Sequence, residues 1–106
     1  MNGTATVGGL NALTRCVAVD DARDGIRCNA VCSGIVETPL TEAALADPTI
    51  KAEFLAAYPL RRSGTPGDVA RMVLYLASDE ASWVTGGNFP IDGRMTAGSP
   101  LPADAV

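Results

Sequence analysis

The sequence contains no histidine, and aromatic residues make up only 5% of its 106 residues. Without imidazole, these residues cannot build a zinc site with histidine ligands, a Ser–His or Cys–His nucleophile pair, or a histidine acid–base step. No stretch approaches the ~18 consecutive apolar residues of a membrane-spanning helix. Charged residues are also sparse, at 19%, and acidic residues outnumber basic ones by 12 to 8. The sequence therefore predicts neither a nucleic-acid partner nor a membrane partner.

The composition is that of a folded chain, with 47% hydrophobic residues and a length suited to one small domain or part of one. There are three cysteines, Cys16, Cys28 and Cys32. An odd number, with no signal-like N-terminus, predicts a reducing, cytoplasmic compartment. Cys28 and Cys32 lie in a predicted strand, about 13 Å apart at ~3.3 Å per residue. A disulfide needs Cα atoms within about 7 Å, so we interpret both as small buried apolar residues.

The first half of the chain predicts a helix followed at once by a strand. Apolar residues at helical spacing (Leu10, Leu13, Val17) predict an amphipathic helix over residues 8–23, with Thr14 on its outer face. Asp24-Gly25 ends it, and the β-prone run over residues 26–32 predicts a strand. This alternation is typical of an α/β sheet.

The second half predicts two short helices, one long helix and one short strand. The short helices fall within residues 39–60, each beginning at a proline (Pro39, Pro48). The long helix runs over residues 65–78, capped by Thr65 and buried through Val69, Met72, Val73 and Leu76. A strand over residues 88–92 contains Pro90, which cannot donate a ladder hydrogen bond, so we predict an edge strand. Two strands joined by about fifty residues predict a parallel crossover, and so small a sheet indicates an incomplete domain.

Five segments, in order, resemble the short-chain dehydrogenases/reductases: Gly8-Gly9-Leu10-Asn11-Ala12-Leu13-Thr14-Arg15, Gly25-Ile26-Arg27-Cys28-Asn29-Ala30-Val31, Ser33-Gly34-Ile35-Val36-Glu37-Thr38-Pro39, the ends of the long helix (Pro59–Pro66 and Leu76–Glu80), and Trp83-Val84-Thr85-Gly86 with Ile91-Asp92-Gly93. The resemblance covers residues 8–97, and residues 1–7 do not match. It implies the C-terminal portion of a Rossmann-type, doubly wound parallel sheet. We expect residues 98–106 to form a disordered tail.

The resemblance also implies hydride transfer between a nicotinamide, NAD or NADP, and an alcohol or carbonyl. That chemistry needs a tyrosine whose phenol pKa, ~10 in water, is lowered by a lysine one helical turn later. Tyr58 and Tyr75 are followed four residues later by Arg62 and Asp79, so no Tyr-x-x-x-Lys pair exists in the sequence. By the alignment, Gly3 and Val7 stand at the two positions. We therefore predict no catalytic residue in this chain and no turnover by the chain alone.

The resemblance assigns cofactor contacts to the loop after the first strand, at Gly34, Ile35, Val36 and Thr38. It implies that the backbone N–H and C=O of Val36 pair with the nicotinamide carboxamide and that the Thr38 hydroxyl binds the carboxamide or a phosphate. Gly34, lacking a Cβ, would let the backbone approach the planar ring. Ser33 replaces the family's usual proline. The alternative is that Thr38 only caps the helix that begins at Pro39.

Two further surfaces follow from the resemblance. Residues 40–60 resemble a substrate lid, whose apolar side chains either line a substrate or simply pack on the domain (Leu40, Leu45, Phe54, Leu55, Tyr58). Residues 66–78 and 88–92 correspond to surfaces through which the family forms oligomers, so the resemblance implies a homo-oligomer or a hetero-oligomer. Trp83 would cover the core or such an interface. The alternative function is a non-catalytic interaction module that docks on a complete reductase through an unpaired strand edge.

Overall fold

The structure is a computed structural model that describes the backbone of residues 3–93 and the side chains of residues 8–93. It contains four α-helices and two strands, three of the helices lying between the strands, which makes the fold α/β as predicted. In chain order these elements are α1 (Gly3–Asp20), β1 (Ala30–Ser33), α2 (Pro39–Leu45), α3 (Pro48–Ala56), α4 (Pro66–Ala77) and β2 (Asn88–Ile91). The expected disordered tail, residues 98–106, lies outside the described residues.

The two strands pair in one two-stranded sheet. The Ala30 N–H donates to Gly87 O at 2.9 Å, and the Gly34 N–H donates to Ile91 O at 3.0 Å. A donor four residues further along the first strand pairs with an acceptor four residues further along the second. The strands are therefore parallel, as the crossover predicted. The chain divides into two compact units. The first comprises the chain up to Cys32 with Arg71–Phe89, and the second comprises Ser33–Ala70 with the residues from Pro90 onward.

Helix α1 begins five residues earlier than predicted and ends at Asp20 rather than at residue 23. A 3-10 turn over Ala22–Asp24 follows, closed by Gly25 at φ 75° with its N–H on Ala22 O. The inward face also differs from the prediction, because Thr14 and Ala18 are buried whereas Leu10 and Leu13 are exposed.

Small or hydrogen-bonded side chains occupy the inward face of α1 in the first unit. The Ala18 side chain lies beside Gly86, since a Cβ added to Gly86 would lie 3.4 Å from it, at van der Waals distance. The Thr14 hydroxyl donates to Leu10 O at 2.8 Å, which satisfies its polar group inside the structure. Leu10 and Leu13 face outward.

Strand β1 is shorter than the predicted strand over residues 26–32, because residues before it bond through side chains. The Arg27 guanidinium donates to Ser78 O and Val84 O, each at 3.2 Å. The Asn29 amide donates to Val84 O at 3.0 Å and accepts from the Gly87 N–H at 3.1 Å. These bonds fix the approach to the strand without a ladder.

Local sequence signals at the later helices are confirmed. Prolines stand at the first turns of α2 and α3, and the Asp47 carboxylate caps α3 by accepting from the Thr49 N–H at 2.8 Å. Helix α4 starts within one residue of its predicted position, and Leu76 is buried on it, but Val73 is exposed.

The structure corrects the predicted burial of Trp83 and of the cysteines. Trp83 is 97% exposed, so it does not cover a core, while its alternative place at an interface stays a prediction. Cys28 and Cys32 are only half-buried and Cys16 is exposed, although all three are free thiols as expected.

Among residues 3–93, no helix is both long and apolar enough to cross a bilayer. Within the same range, His, Cys, Asp and Glu residues form no cluster suited to a metal ion.

Candidate functional site

The segment Gly34–Thr38, called here the contact loop, directly follows the carboxyl end of β1. In open parallel sheets, ligands bind beyond the carboxyl ends of the strands. The loop lies entirely in the second unit, together with the end of β2 and the segment from α2 to the start of α4. All four sequence-predicted contact residues (Gly34, Ile35, Val36, Thr38) are therefore brought together in one short stretch.

Gly34 is needed because of its packing inside the protein. A Cβ at this position would lie 2.7 Å from Cε1 of Tyr58 and 3.1 Å from the Cα of Asp92. No side chain fits in that space without displacing the tyrosine ring or the backbone after β2. The direction in which we expected a planar ring to approach Gly34 is therefore filled by the protein's own atoms.

Two neighbouring segments hold the middle of the contact loop. The Ile35 N–H donates to the Tyr58 hydroxyl oxygen at 2.8 Å. Val36 forms a parallel bridge with Gly64, in which the Gly64 N–H donates to Ile35 O at 2.9 Å and the Glu37 N–H donates to Gly64 O at 2.8 Å. The bridge points the amide groups of Val36 itself away from Gly64, since in a parallel pair these groups alternate in direction.

One donor in the contact loop is left unpaired. Of the five N–H groups from Gly34 to Thr38, four donate to protein acceptors: those of Gly34, Ile35 and Glu37 as described, and that of Thr38 to Thr41 Oγ1 at 3.0 Å. Among the described residues, the Val36 N–H has no acceptor. An amide that loses water without a partner costs free energy, so a half-buried unpaired N–H is a natural point for a ligand to bind.

Thr38 stands at the N-cap of α2, with extended backbone at φ −136° and ψ 165°. The shorter hydrogen bonds of this cap belong to Thr41, whose hydroxyl accepts from the Thr38 N–H and donates to Val36 O at 2.6 Å. The Thr38 hydroxyl lies 3.4 Å from Thr41 Oγ1, which is long for a hydroxyl pair. Thr38 and Thr41 thus form a reciprocal capping box, in which the Thr38 side chain accepts from the Thr41 backbone N–H, and sequence reasoning missed the part of Thr41.

Charged groups flank the loop on the side of Ser63 and α4. The buried Ser63 hydroxyl donates to Glu37 Oε1 at 2.7 Å. Arg62 pairs with Asp68 at 2.9 Å. The hydrogen bond from the Arg62 guanidinium, followed by that from the Thr65 N–H, holds the pKa of the Asp68 carboxyl well below its usual range. The same hydrogen bond raises the pKa of Arg62. Arg62 and Asp68 therefore form an ion pair within the chain.

A cavity of about 490 Å³ opens beside Thr38, between α2 and the first turn of α3. Pro39, Leu45 and Ala46 give it an apolar part, while Glu37, Glu42 and Lys51 carry charge at its edge. Of the side chains predicted for the lid, Leu40 and Phe54 are exposed and only Tyr58 is buried. The two short helices therefore leave open space next to the contact loop.

Comparisons with known proteins identify the family to which the chain belongs. The family model described as Enoyl-(Acyl carrier protein) reductase matches residues 4–96. The 2-(R)-hydroxypropyl-CoM dehydrogenase of Xanthobacter autotrophicus is 44% identical over 94 residues, which cover 89% of this chain and 38% of that protein. The chain thus spans about two fifths of the length of the relatives it matches.

Solved structures give the same result. A short-chain dehydrogenase/reductase from Burkholderia thailandensis superposes with a TM-score of 0.79 at 39% identity, over 87% of this chain and 36% of that one. A 4-hydroxyisoleucine dehydrogenase complexed with NADH gives 0.85 at 34% identity, over 90% and 39%. A 2-deoxy-D-gluconate 3-dehydrogenase homologue from Agrobacterium tumefaciens with bound NADP gives 0.82 at 35% identity, over 90% and 39%. The chain belongs to the short-chain dehydrogenase/reductase family and represents the C-terminal portion of its Rossmann-type fold.

Proposed function

We propose that this chain is part of an NAD(P)-dependent oxidoreductase and that its contact loop binds the carboxamide of the nicotinamide. The observation that carries the proposal is the unpaired Val36 N–H in a loop whose other amides are all bonded. Relatives of similar fold bind NADH and NADP, which supports a pyridine nucleotide as the ligand. The chain's share of the reaction would be to hold the reacting ring in one orientation.

The polar groups of the loop fit a carboxamide. A carboxamide offers one carbonyl acceptor and two N–H donors. The Val36 N–H can donate to the carbonyl, and the Thr38 hydroxyl oxygen, which has a second lone pair beside the one used in the cap, can accept from the amide nitrogen. Val36 O already accepts from Thr41 at 2.6 Å, but a carbonyl has a second lone pair. Donor and acceptor thus stand two residues apart in the contact loop.

The nicotinamide, when bound, supplies the hydride chemistry, and the residues of this chain keep its ring in place. The Gly64 bridge and the Tyr58 hydroxyl fix the loop from two sides, so binding does not need to order the backbone. The cavity beside Thr38, with its apolar part, would receive the substrate next to the ring.

Proton transfer needs groups that these 106 residues do not contain, since no tyrosine is followed four residues later by lysine. We therefore propose that the chain alone does not turn over substrate and that the proton donor belongs to the remainder of the fold. Three free cysteines support, as a further proposal, a reducing cytoplasmic compartment.

Nuclear magnetic resonance tests the contact loop directly. The chain is titrated with nicotinamide mononucleotide, which carries the carboxamide, and separately with adenosine monophosphate, which does not. We expect the Val36 amide resonance to shift with the first ligand and not with the second, with a dissociation constant in the millimolar range. Equal shifts with both ligands, shifts confined to other segments, or no shift up to the solubility limit would contradict the proposal.

A threonine-to-valine substitution tests the contribution of the Thr38 hydroxyl separately from that of the Val36 backbone. Thr38→Val removes the proposed acceptor and should weaken nicotinamide mononucleotide binding by about three- to tenfold, the usual effect of one hydrogen bond. Thr49→Val, an exposed threonine at the start of α3, is the matched control and should bind like the wild type. Equal binding by the two variants would leave no role for the Thr38 hydroxyl.

A further inference from the structure

Tyr58 differs from every other apolar side chain of the second unit, because among the described residues it is the only one that is buried. It is 7% exposed and follows directly after α3. The backbone on both sides of it is anchored: the Tyr58 N–H donates to Leu55 O at 3.1 Å, and the Arg61 N–H donates to Tyr58 O at 2.8 Å. The aromatic ring is therefore held in one place by the end of the α2–α3 segment.

This one side chain contacts two consecutive residues of the contact loop in different ways. Its ring occupies the space where a Cβ of Gly34 would lie, 2.7 Å from Cε1. Its hydroxyl oxygen accepts the Ile35 N–H at 2.8 Å. A phenylalanine would preserve the first contact and lose the second, so the two can be separated by experiment.

The hydrogen bond determines which amide of the loop stays available. Gly34 and Glu37 donate to backbone oxygens of Ile91 and Gly64, but no backbone acceptor serves Ile35. Without the phenol oxygen, Ile35 and Val36 would be two adjacent unpaired donors, and the peptide between Gly34 and Ile35 would be free to rotate. With it, only the Val36 N–H remains for a ligand.

We propose that Tyr58 is a positioning residue, which links the α2–α3 segment to the contact loop by holding the Gly34–Ile35 peptide, next to the peptide that carries the Val36 N–H. This inference rests on the proposed function, in that the ligand placed by the loop is the nicotinamide carboxamide. A conformational change that withdraws the end of α3 would also release Ile35. Nucleotide orientation and the order of the α2–α3 segment are thus coupled through a single hydrogen bond.

The test compares Tyr58→Phe with Tyr75→Phe in the 106-residue chain. Tyr75 lies on α4 in the first unit and is 43% exposed, and the Tyr75→Phe substitution removes the same phenol oxygen there. Amide hydrogen exchange is measured at Ile35 and, as a reference within the same loop, at Glu37. Tyr58→Phe should speed exchange at Ile35 about tenfold more than at Glu37, as expected for the loss of one hydrogen bond. Tyr75→Phe should change neither.

The same variants are titrated with nicotinamide mononucleotide. Tyr58→Phe should weaken binding at least threefold and lower the preference over adenosine monophosphate. If exchange at Ile35 and Glu37 rises equally, Tyr58 only stabilises the unit and the inference fails. If Ile35 alone is released but ligand affinity is unchanged, the coupling fails while the proposed function stands. If the wild type does not bind the ligand although Ile35 is released in the variant, the proposed function fails.

Discussion

At the scale of single residues, two glycines of this chain differ in whether a side chain would fit at their position. A Cβ at Gly34 would lie 2.7 Å from the Tyr58 ring and 3.1 Å from the Asp92 backbone, whereas a Cβ at Gly9 would meet nothing within 4 Å. Gly9 lies inside helix α1, where glycine is a poor helix former. One glycine is therefore required by packing, and the other only adds freedom to the unfolded chain.

We predict that Gly34→Ala lowers the free energy of unfolding by about 1–3 kcal/mol, the usual cost of overpacking. Gly9→Ala, the matched control, should raise it by about 0.5–1 kcal/mol because alanine favours the helix. Urea unfolding followed by circular dichroism at neutral pH measures both. A Gly34→Ala variant as stable as the wild type would mean that the loop does not pack on Tyr58 as described.

The sequence predicted Gly34 as a cofactor contact, and the structure shows that this glycine is required by packing. Its neighbours Tyr58 and Asp92 lie 24 and 58 residues further along the chain, so local pattern cannot reveal the contact. The bond between Ile35 and Tyr58 was missed for the same cause. Residue types indicate which loop can bind a ligand. Which N–H groups of that loop are already bonded depends on distant segments that only the fold brings next to it.

At the scale of elements, the start of α4 is held by one carboxylate. Asp68 accepts from the Thr65 N–H at 2.8 Å and pairs with Arg62 at 2.9 Å. These contacts keep the pKa of the carboxyl below its unfolded value of about 3.9. The folded state is therefore stabilised at any pH above that value, and the stabilisation is lost as the pH falls through the lowered pKa.

We predict that the urea midpoint of the wild type falls between about pH 5 and pH 2 and that Asp68→Asn reduces this dependence. Asparagine can still accept from Thr65 but carries no charge to lose, so the variant should be weaker at neutral pH and change less on acidification. Glu53→Gln, an exposed carboxylate on α3, should keep the wild-type slope. Equal slopes for Asp68→Asn and the wild type would show that the ion pair does not contribute.

Element boundaries were predictable wherever the signal was local. The prolines at the starts of α2 and α3, and Thr65 with Asp68 at the start of α4, are caps that act within three residues. The start of β1 was not predictable, because Arg27 and Asn29 bond to carbonyls more than fifty residues away. A β-prone stretch held by such side-chain bonds is extended but does not form a ladder.

At the scale of the whole molecule, the described residues bury little and expose much that is apolar. The buried apolar residues are Ala18, Ala30, Tyr58, Leu76 and Ala81, and no large side chain is fully buried. Helical periodicity correctly predicted the helices α1 and α4 but assigned Leu10, Leu13 and Val73 to a core. Periodicity shows which residues share a face, whereas burial depends on what covers that face, and the chain spans only about two fifths of its relatives.

Our last prediction concerns the exposed face of α4. Val73, Leu74 and Tyr75 are exposed there, Leu74 by 72%. We propose that residues 66–78, with residues 88–92, form a contact between two copies of the chain, because burying one leucine contributes about 1.5–3 kcal/mol.

Sedimentation velocity should show self-association at micromolar concentrations. Leu74→Glu should weaken it at least tenfold, since a buried unpaired carboxylate is costly, whereas Ala43→Glu, on an exposed position of α2, should leave it unchanged. A wild type that stays monomeric up to its solubility limit, or equal effects of both variants, would contradict this interface.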